Sequence, residues 1–358
     1  MKLILERRAD SPLWLALLSP LAAVALTLVA GAILFAVMGK DPLAALKVYF
    51  LDPLSDSWAL QELTVKATPL ALIAAGLCLC YRANVWNIGA EGQYVAGAIC
   101  GSWLALATHG VPNGPWLLPA MLALGALGGL ALALVPAVLK IRFGASEILV
   151  SLMLVYVAEL ALDYLVRGPW RDPKGFNFPQ SVNFEPEAVM PLLASGGRMH
   201  VGFVIAVVVA VAAAILVGRT LKGFEIRLVG AAPRAARFAG FDVRRTTLFV
   251  FAVSGALAGL AGIIEVAGPI GQLQPSISPG YGFTAIIVAF LGRLNPIGAL
   301  VAALFLALTF IGGENAQIAL RIPLDLTRVF QGLLLFFVLG CDTFLIYRLR
   351  LTGRERAA

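Results

Sequence analysis

Long apolar runs without charged side chains recur along the whole chain, and they restrict its fold more than any other feature. The first extends from Trp14 to Met38. In a helix, roughly 20 such residues cross the ~30 Å hydrocarbon core of a bilayer. Hydrophobic residues make up 60% of the chain and charged residues 13%, whereas soluble domains are about half apolar and about a quarter charged. So apolar a chain could not cover itself with polar groups in water, and we interpret it as an integral membrane protein.

The apolar runs predict an all-α polytopic membrane protein with about ten transmembrane helices in a single domain covering 1–358. Nine or eleven helices remain alternatives. The predicted spans are 14–38, 62–81, 86–107, 116–139, 147–166, 201–218, 246–267, 281–292, 296–312 and 325–347. The first is longer than the apolar core of a signal peptide, so we interpret it as a retained helix. The eighth and ninth are short and nearly adjacent, so they form either one broken helix or a tight hairpin.

Basic residues concentrate on alternate connections between these spans. With ten spans, 18 of the 27 Lys and Arg residues fall on one side, and most acidic residues of the loops fall on the other. Cytoplasmic loops retain Lys and Arg, so we predict that both termini are cytoplasmic. The same asymmetry explains the net charge of +7 without a nucleic-acid partner. Two connections are long: 167–200, predicted outside, and 219–245, predicted inside with seven basic residues.

The inner connection contains a pattern typical of a short helix. Pro233 suits the first helical position, and Gly240 suits the left-handed position just after the end. Ala235, Ala236 and Ala239 would form a smooth surface that another protein could approach. Arg227, Arg234 and Arg237 would project from one side if the helix extends back that far. The alternative is an interfacial helix whose arginines contact anionic lipid headgroups, and composition alone does not separate the two.

The third span opens with the heptad Asn87–Gln93, which is a poor start for a lipid-facing helix. It holds two glycines, Gly89 and Gly92, and a carboxylate, Glu91. A carboxylate near the bilayer centre costs at least ~2.5 kcal/mol, so Glu91 should face the bundle interior, a cavity or a partner. Weakened helical turns also free backbone groups to meet a polar solute. The alternative is a helix start near the interface, with Asn87 as N-cap and Glu91 favoured by the helix dipole.

A second break lies at 268–282, where three prolines and four glycines exclude a continuous helix. Interrupted segments in both halves of a transporter indicate a binding site between them. The alternative is a connecting loop outside the membrane.

Elsewhere, Glu159 and Asp163 would share a helix face with Arg167 one turn further on, and we predict a local charge pairing there rather than a proton relay.

Three of these segments resemble a known family. Residues 229–240 are similar to the cytoplasmic coupling segment of permeases from ATP-binding-cassette (ABC) importers for branched-chain amino acids, simple sugars and nucleosides. The heptad Asn87–Gln93 resembles the motif of the longer of the two paired permease subunits in nucleoside-type members. The order of residues around Tyr281 also resembles the family pattern, but the usual acid after the tyrosine is replaced by Gly282, Phe283 and Thr284.

The resemblance implies a ten-helix bundle similar to the cobalamin importer, located in the bacterial inner membrane. It implies cytoplasmic ATPase subunits, a second permease that is a distinct paralogue, and an extracellular solute-binding protein as partners, with no cofactor and no metal. The implied solute pathway comprises Asn87, Gly89, Glu91, Gly92, Gln93 and Tyr281. The implied ATPase-coupling residues are Gly230, Pro233, Arg234, Ala235, Ala236, Arg237 and Gly240.

The sequence therefore predicts a permease subunit that moves a small polar solute inward, a nucleoside in the first place and a simple sugar otherwise. The phosphate-binding pattern G-x-x-x-x-G-K-[ST] does not occur in the chain, so ATP hydrolysis is assigned to a separate chain. The alternative is an ion-coupled secondary transporter that uses Glu91, or Glu159 with Asp163. A membrane enzyme is less favoured, because neither His109 nor His200 is accompanied by a nucleophile or a metal-binding pattern.

Overall fold

The computed structural model describes residues 2–7, 13–193 and 196–352. Arg8, Arg354 and Arg356, three of the basic residues assigned to the cytoplasmic side, lie outside these ranges. By their internal contacts the residues form two units. The core unit spans Asp56–Leu308, and the terminal unit comprises Met1–Ser55 with Thr309–Ala358.

Helices dominate the described chain, which confirms the predicted all-α class. In chain order they are α1 (Leu13–Val37), α2 (Pro42–Leu46), α3 (Ser57–Arg82), α4 (Ala90–Ala107), α5 (Leu117–Phe143), α6 (Glu147–Arg167), α7 (Val201–Arg219), α8 (Leu221–Ala231), α9 (Pro233–Phe238), α10 (Val243–Glu265), α11 (Tyr281–Leu291), α12 (Pro296–Leu320) and α13 (Asp325–Ile346). Short 3-10 turns cover Asp52–Leu54 and Pro186–Ala188, and π-helical turns cover Lys47–Leu51 and Val266–Ile270.

Each predicted span overlaps one of these helices, namely α1, α3 to α7 and α10 to α13. Within the described residues, seven helices are long and apolar enough to cross a membrane, and α11 is a shorter apolar helix. The exact number of crossings and the side of the termini stay predictions. Between α11 and α12 the chain makes a tight turn, with Arg293 and Leu294 at φ +56° and +55°, so the eighth and ninth spans are two helices rather than one broken helix.

The terminal unit has an aromatic core and a small sheet. The rings of Tyr49 and Phe330 stack with centroids 5.0 Å apart, Phe35 packs beside both, and the Tyr49 hydroxyl donates to Thr327 Oγ1 at 3.2 Å. Strands β1 (Lys2–Arg7) and β2 (Tyr347–Thr352) pair antiparallel. The apolar runs do not predict this two-stranded sheet, because both strands fall in the charged chain ends.

Five glycines bring α4, α5 and α10 into direct backbone contact in the core unit. They are Gly97, Gly125, Gly129, Gly255 and Gly259. A Cβ atom built on Gly259 would lie 2.8 Å from the Cα atom of Gly129, and one built on Gly97 would lie 2.5 Å from the carbonyl carbon of Gly259. Any larger side chain would push the helices apart. Membrane helices commonly associate through small residues in this way. The contact fixes the positions of α4 and α10, which carry residues of the candidate site.

The long connection 167–200 packs against the segment that follows α10. The Ser181 N–H donates to the Leu273 carbonyl at 2.8 Å, and the Leu273 N–H donates to Ser181 Oγ at 2.8 Å. The connection ends at His200, whose Nδ1 accepts the Gly202 N–H at 3.1 Å and caps α7. Burial lowers the pKa of His200 to about 4, so at neutral pH the imidazole is uncharged and able to accept this bond.

Candidate functional site

The connection between α3 and α4 re-enters the bundle. Gly76 and Asn87 both contact Ser254 of α10: a Cβ built on Gly76 would lie 2.8 Å from the Ser254 Cα atom, and Asn87 Nδ2 donates to Ser254 Oγ at 3.0 Å. Gly76 lies six residues before the end of α3 at Arg82, which is about 9 Å along a helix. The chain therefore turns back at Arg82 and returns to the depth of Gly76. Non-helical backbone at such depth requires partners within the protein.

Asn87 supplies those partners. Its side-chain amide pairs reciprocally with that of Gln93 at 2.9 Å in both directions, and its Oδ1 accepts the Gly89 N–H at 3.2 Å. Both side chains are buried. The N-cap of α4 is Gly89, so the alternative with Asn87 as N-cap does not hold. Asn87 thus bonds to Gln93, Ser254 and the Gly89 backbone and braces the re-entrant turn. Neither Asn87 nor Gln93 lines the cavity described below.

Gly89 and Gly92 are positions of close helix approach. A Cβ on Gly89 would lie 2.7 Å from the Ser151 carbonyl oxygen, and one on Gly92 would lie 2.8 Å from the Val155 Cα atom. Both neighbours belong to α6. The two glycines thus let the first turn of α4 lie directly against α6, and this contact sets the distance between Glu91 and the polar residues of α6.

Glu91 joins the two broken segments. Its side chain is 3% exposed, and its Oε2 accepts the Gly282 N–H at 2.5 Å. The hydroxyl of Ser278 also hydrogen-bonds to Glu91, and Ser278 Oγ accepts the Tyr281 N–H at 2.9 Å. The carboxylate on the first turn of α4 therefore fixes the start of α11, 191 residues away in sequence.

The second break has two parts that correspond to the two alternatives derived from the sequence. Up to Leu273 it packs against the connection 167–200, as a connecting loop would. Beyond Leu273 it runs among the helices: the Tyr94 hydroxyl donates to the Ile277 carbonyl at 3.0 Å, and the rings of Tyr94 and Tyr281 meet edge to face with centroids 6.2 Å apart. Tyr281 is buried at this junction.

A cavity of about 450 Å³ opens where these segments meet α6. Its polar lining comprises Glu91, Tyr156, Glu159, Asp163, Ser276 and Ser278. The volume is within the range of small-molecule sites, roughly 300–1,000 Å³. Carboxylate and hydroxyl oxygens dominate the polar lining, so the cavity can accept several hydrogen bonds from a solute.

The polar residues of α6 divide into two groups. Asp163 Oδ1 lies 2.7 Å from Arg167 Nε, which confirms the predicted local pairing for these two residues. Glu159 is exposed on the cavity side and lies near enough to Glu91 for the two carboxylates to interact.

The sequence interpretation missed Tyr156 as a lining residue. The signal that could have revealed it is the helical spacing: Tyr156 precedes Glu159 by three residues and Glu159 precedes Asp163 by four, which places all three on one helix face.

The coupling candidate consists of two helices rather than one. Pro233 is the first residue of α9, and Gly240 has φ +84°, as the pattern predicts. However, the chain breaks at Ala232, with φ −150° and ψ 77°, so α8 ends before α9 begins. Arg227 belongs to α8, so the condition for it to project alongside Arg234 and Arg237, one continuous helix, is not met.

The exposed surface of α9 differs from the predicted alanine face. Arg234, Ala235 and Arg237 are exposed, but Ala236 is fully buried. The expectation that Ala236 forms part of an exposed smooth surface is therefore wrong, because this face of α9 packs inside the unit. Its role in coupling stays a prediction. Phe238, which the sequence interpretation did not select, is 94% exposed. The available surface is thus an aromatic ring flanked by two guanidinium groups.

No group of three or more His, Cys, Asp or Glu side chains among the described residues could hold a metal ion.

Residues 59–339 match the family model described as the permease component of the branched-chain amino acid transport system. The chain belongs to this family. It is an ABC transporter permease, a membrane-spanning transport subunit rather than a catalytic chain.

Three curated relatives cover most of the chain. The glucose ABC transporter permease protein TsgB13 of Haloferax volcanii is 37% identical over 99% of this chain and 95% of its own length. The guanosine ABC transporter permease protein NupP of Bacillus subtilis is 29% identical over 90% of this chain and 92% of its own length. The nucleoside ABC transporter permease protein NupB of Lactococcus lactis is 28% identical over 90% of both chains. This ABC permease therefore has relatives named for both sugars and nucleosides.

Proposed function

We propose that this chain is the permease subunit of an ABC importer that moves a small polar solute inward, a nucleoside in the first place and a simple sugar otherwise. The observation that carries the proposal is the meeting of the two broken segments at Glu91, beside a cavity lined by hydrogen-bond acceptors. Transport follows alternating access, driven by an ATPase on a separate chain. Within the membrane, interrupted segments of this kind form solute sites in transporters.

The lining of the cavity suits an uncharged, hydroxylated solute. Glu91, Glu159 and Tyr156 offer oxygen atoms that accept hydrogen bonds. Nucleosides and simple sugars share a ring that carries several hydroxyl donors, and the names of the relatives divide between these two classes. The heptad Asn87–Gln93 favours the nucleoside. Family membership offers no support for the ion-coupled alternative.

The proposed complex contains two ATPase subunits, a second permease that is a distinct paralogue, and an extracellular solute-binding protein. The ATPase docks on α9 and its neighbours in the connection 219–245, which is cytoplasmic together with both termini. The chain lies in the bacterial inner membrane. The exposed surface of α9, with two arginines and Phe238, offers a protein partner both charged and aromatic contacts.

The function is tested by reconstituting the complete complex in liposomes with radiolabelled solutes. ATP should drive accumulation of nucleosides, and an ion gradient without ATP should drive none. Accumulation of glucose but not of nucleosides would transfer the assignment to simple sugars. Uptake sustained by a proton or sodium gradient in the absence of ATP would refute the ABC mechanism for this chain.

Reversing the charge of the α9 surface should weaken ATPase binding. In the double variant Arg234→Glu with Arg237→Glu, we expect ATPase co-purification to fall at least tenfold, about 1.4 kcal/mol of binding free energy, because two exposed guanidinium groups are replaced by carboxylates. The matched control is Lys174→Glu in the connection 167–200, which is also an exposed basic residue. The lipid-headgroup alternative would be favoured if the α9 double variant and Lys174→Glu recovered equal amounts of ATPase while the α9 double variant no longer bound anionic vesicles.

A further inference from the structure

One side chain links the coupling candidate to the turn that ends α11. Arg82, the last residue of α3, donates from Nε to the Leu294 carbonyl oxygen at 2.7 Å. Leu294 and its neighbour Arg293 both have left-handed backbone conformations, φ +55° and +56°, which residues other than glycine adopt rarely. The turn is also bonded to its helix, since the Leu294 N–H donates to the Ala289 carbonyl at 2.8 Å. Arg82 thus holds a strained turn that moves with α11.

The backbone of the same residue contacts the coupling candidate. A Cβ built on Gly230 of α8 would lie 2.9 Å from the Arg82 carbonyl carbon and 3.0 Å from that of Ala83. The end of α8 therefore packs on the end of α3 with no space between them. Arg227 of α8 also lies close enough to Arg82 for their charges to interact. A displacement of α8 toward the membrane must consequently move Arg82.

The other end of α11 reaches the cavity. This helix of 11 residues, roughly 16 Å long, begins at Tyr281, and the Gly282 N–H binds the carboxylate of Glu91. A second contact supports the same path, because the ring of Tyr81 stacks on that of Phe290 with centroids 5.3 Å apart. A short rigid helix therefore joins the Arg82 contact to the cavity carboxylate.

We propose that Arg82 is a positioning residue that transmits displacement of α8 and α9 to α11, and through α11 to Glu91. This inference rests on the proposed docking of an ATPase on α9. The role of Arg82 is to pass the movement caused by ATP hydrolysis on to Glu91 at the cavity. Arg82 itself binds neither the ATPase nor the solute. Removal of the Arg82 side chain should uncouple the two activities.

The test uses the complete reconstituted complex and measures solute moved per ATP hydrolysed. For Arg82→Gln we expect ATPase co-purification and ATP hydrolysis within twofold of the wild type, and a ratio of solute to ATP at least tenfold lower. Arg82→Lys, which retains a donor, should recover part of that ratio. The matched control is Arg142→Gln at the end of α5, where the arginine is exposed, and its ratio should be unchanged. A wild-type ratio in Arg82→Gln would overturn the proposal.

A double variant separates transmission from simple support of the turn. Leu294→Gly lets the turn adopt its left-handed conformation without strain, so it should restore the folding of Arg82→Gln if that variant is unstable. Transmission predicts that the double variant folds and stays uncoupled, whereas a restored ratio would show that Arg82 only stabilises the turn. The docking proposal fails separately, through unchanged ATPase recovery in the α9 charge-reversal variant.

Discussion

Glu91→Ala is expected to reduce the initial rate of solute uptake at least tenfold. The substitution removes the acceptor of the buried Gly282 N–H, and an unpaired buried donor costs about 1–3 kcal/mol. It also removes the carboxylate that fixes the start of α11 beside the cavity. Glu91→Gln should retain more activity, because its side-chain oxygen can still accept the Gly282 N–H. Uptake by the reconstituted complex, normalised to the amount of inserted permease, measures both variants.

The control for the Glu91 variants is Glu187→Ala, which removes an exposed carboxylate from the connection 167–200. This variant should transport at the wild-type rate. If Glu91→Ala also transported at the wild-type rate, Glu91 could not belong to the solute pathway. If Glu91→Ala failed to insert, the comparison of Glu91→Gln with the wild type would still measure the contribution of the carboxyl group.

Gly259→Ala should lower the thermal stability of the protein in detergent. The added methyl group would lie 2.8 Å from the Gly129 Cα atom, so α10 must move away from α5, and overpacking of this kind costs about 1–3 kcal/mol. Gly259→Leu should prevent assembly of the fold altogether. The midpoint of thermal unfolding, followed by the loss of the monodisperse peak in size-exclusion chromatography, measures the effect.

Gly218→Ala provides the matched control, since the same methyl group at this position in α7 would meet no atom within 4 Å. Alanine is favoured over glycine within a helix by up to about 1 kcal/mol, so this variant should be as stable as the wild type or slightly more stable. Equal midpoints for the Gly259→Ala and Gly218→Ala variants would show that the contact between α4, α5 and α10 tolerates a larger side chain.

The helices could be predicted from sequence because the requirement to cross a bilayer acts on each segment separately. An apolar run such as 14–38 needs only sufficient length, and no knowledge of its neighbours. The strands Lys2–Arg7 and Tyr347–Thr352 pair across almost the whole chain. Arginine and leucine alternate within Tyr347–Thr352, which is a strand signal, but Lys2–Arg7 has three consecutive apolar residues and no such alternation.

The candidate site could be predicted only in part. Glu91 could be selected because a carboxylate stands out in apolar surroundings, whereas Tyr281 follows only from the resemblance to the family pattern. The bond from Gly282 to Glu91 joins residues 191 positions apart, and no local pattern specifies such a pair. The burial of Ala236 likewise depends on how α9 packs within the core unit, which a helical projection of the segment alone does not contain.

The bonds between Ser181 and Leu273 make one wall of the cavity depend on a connection far away in the chain. Only a few residues separate Leu273 from Ser276 and Ser278, which line the cavity. Shortening the connection 167–200, or exchanging it with that of a relative, would therefore alter the shape of the cavity even if every lining residue were kept. Chimaeras meant to transfer selectivity between such permeases must exchange the connection and residues 271–280 together.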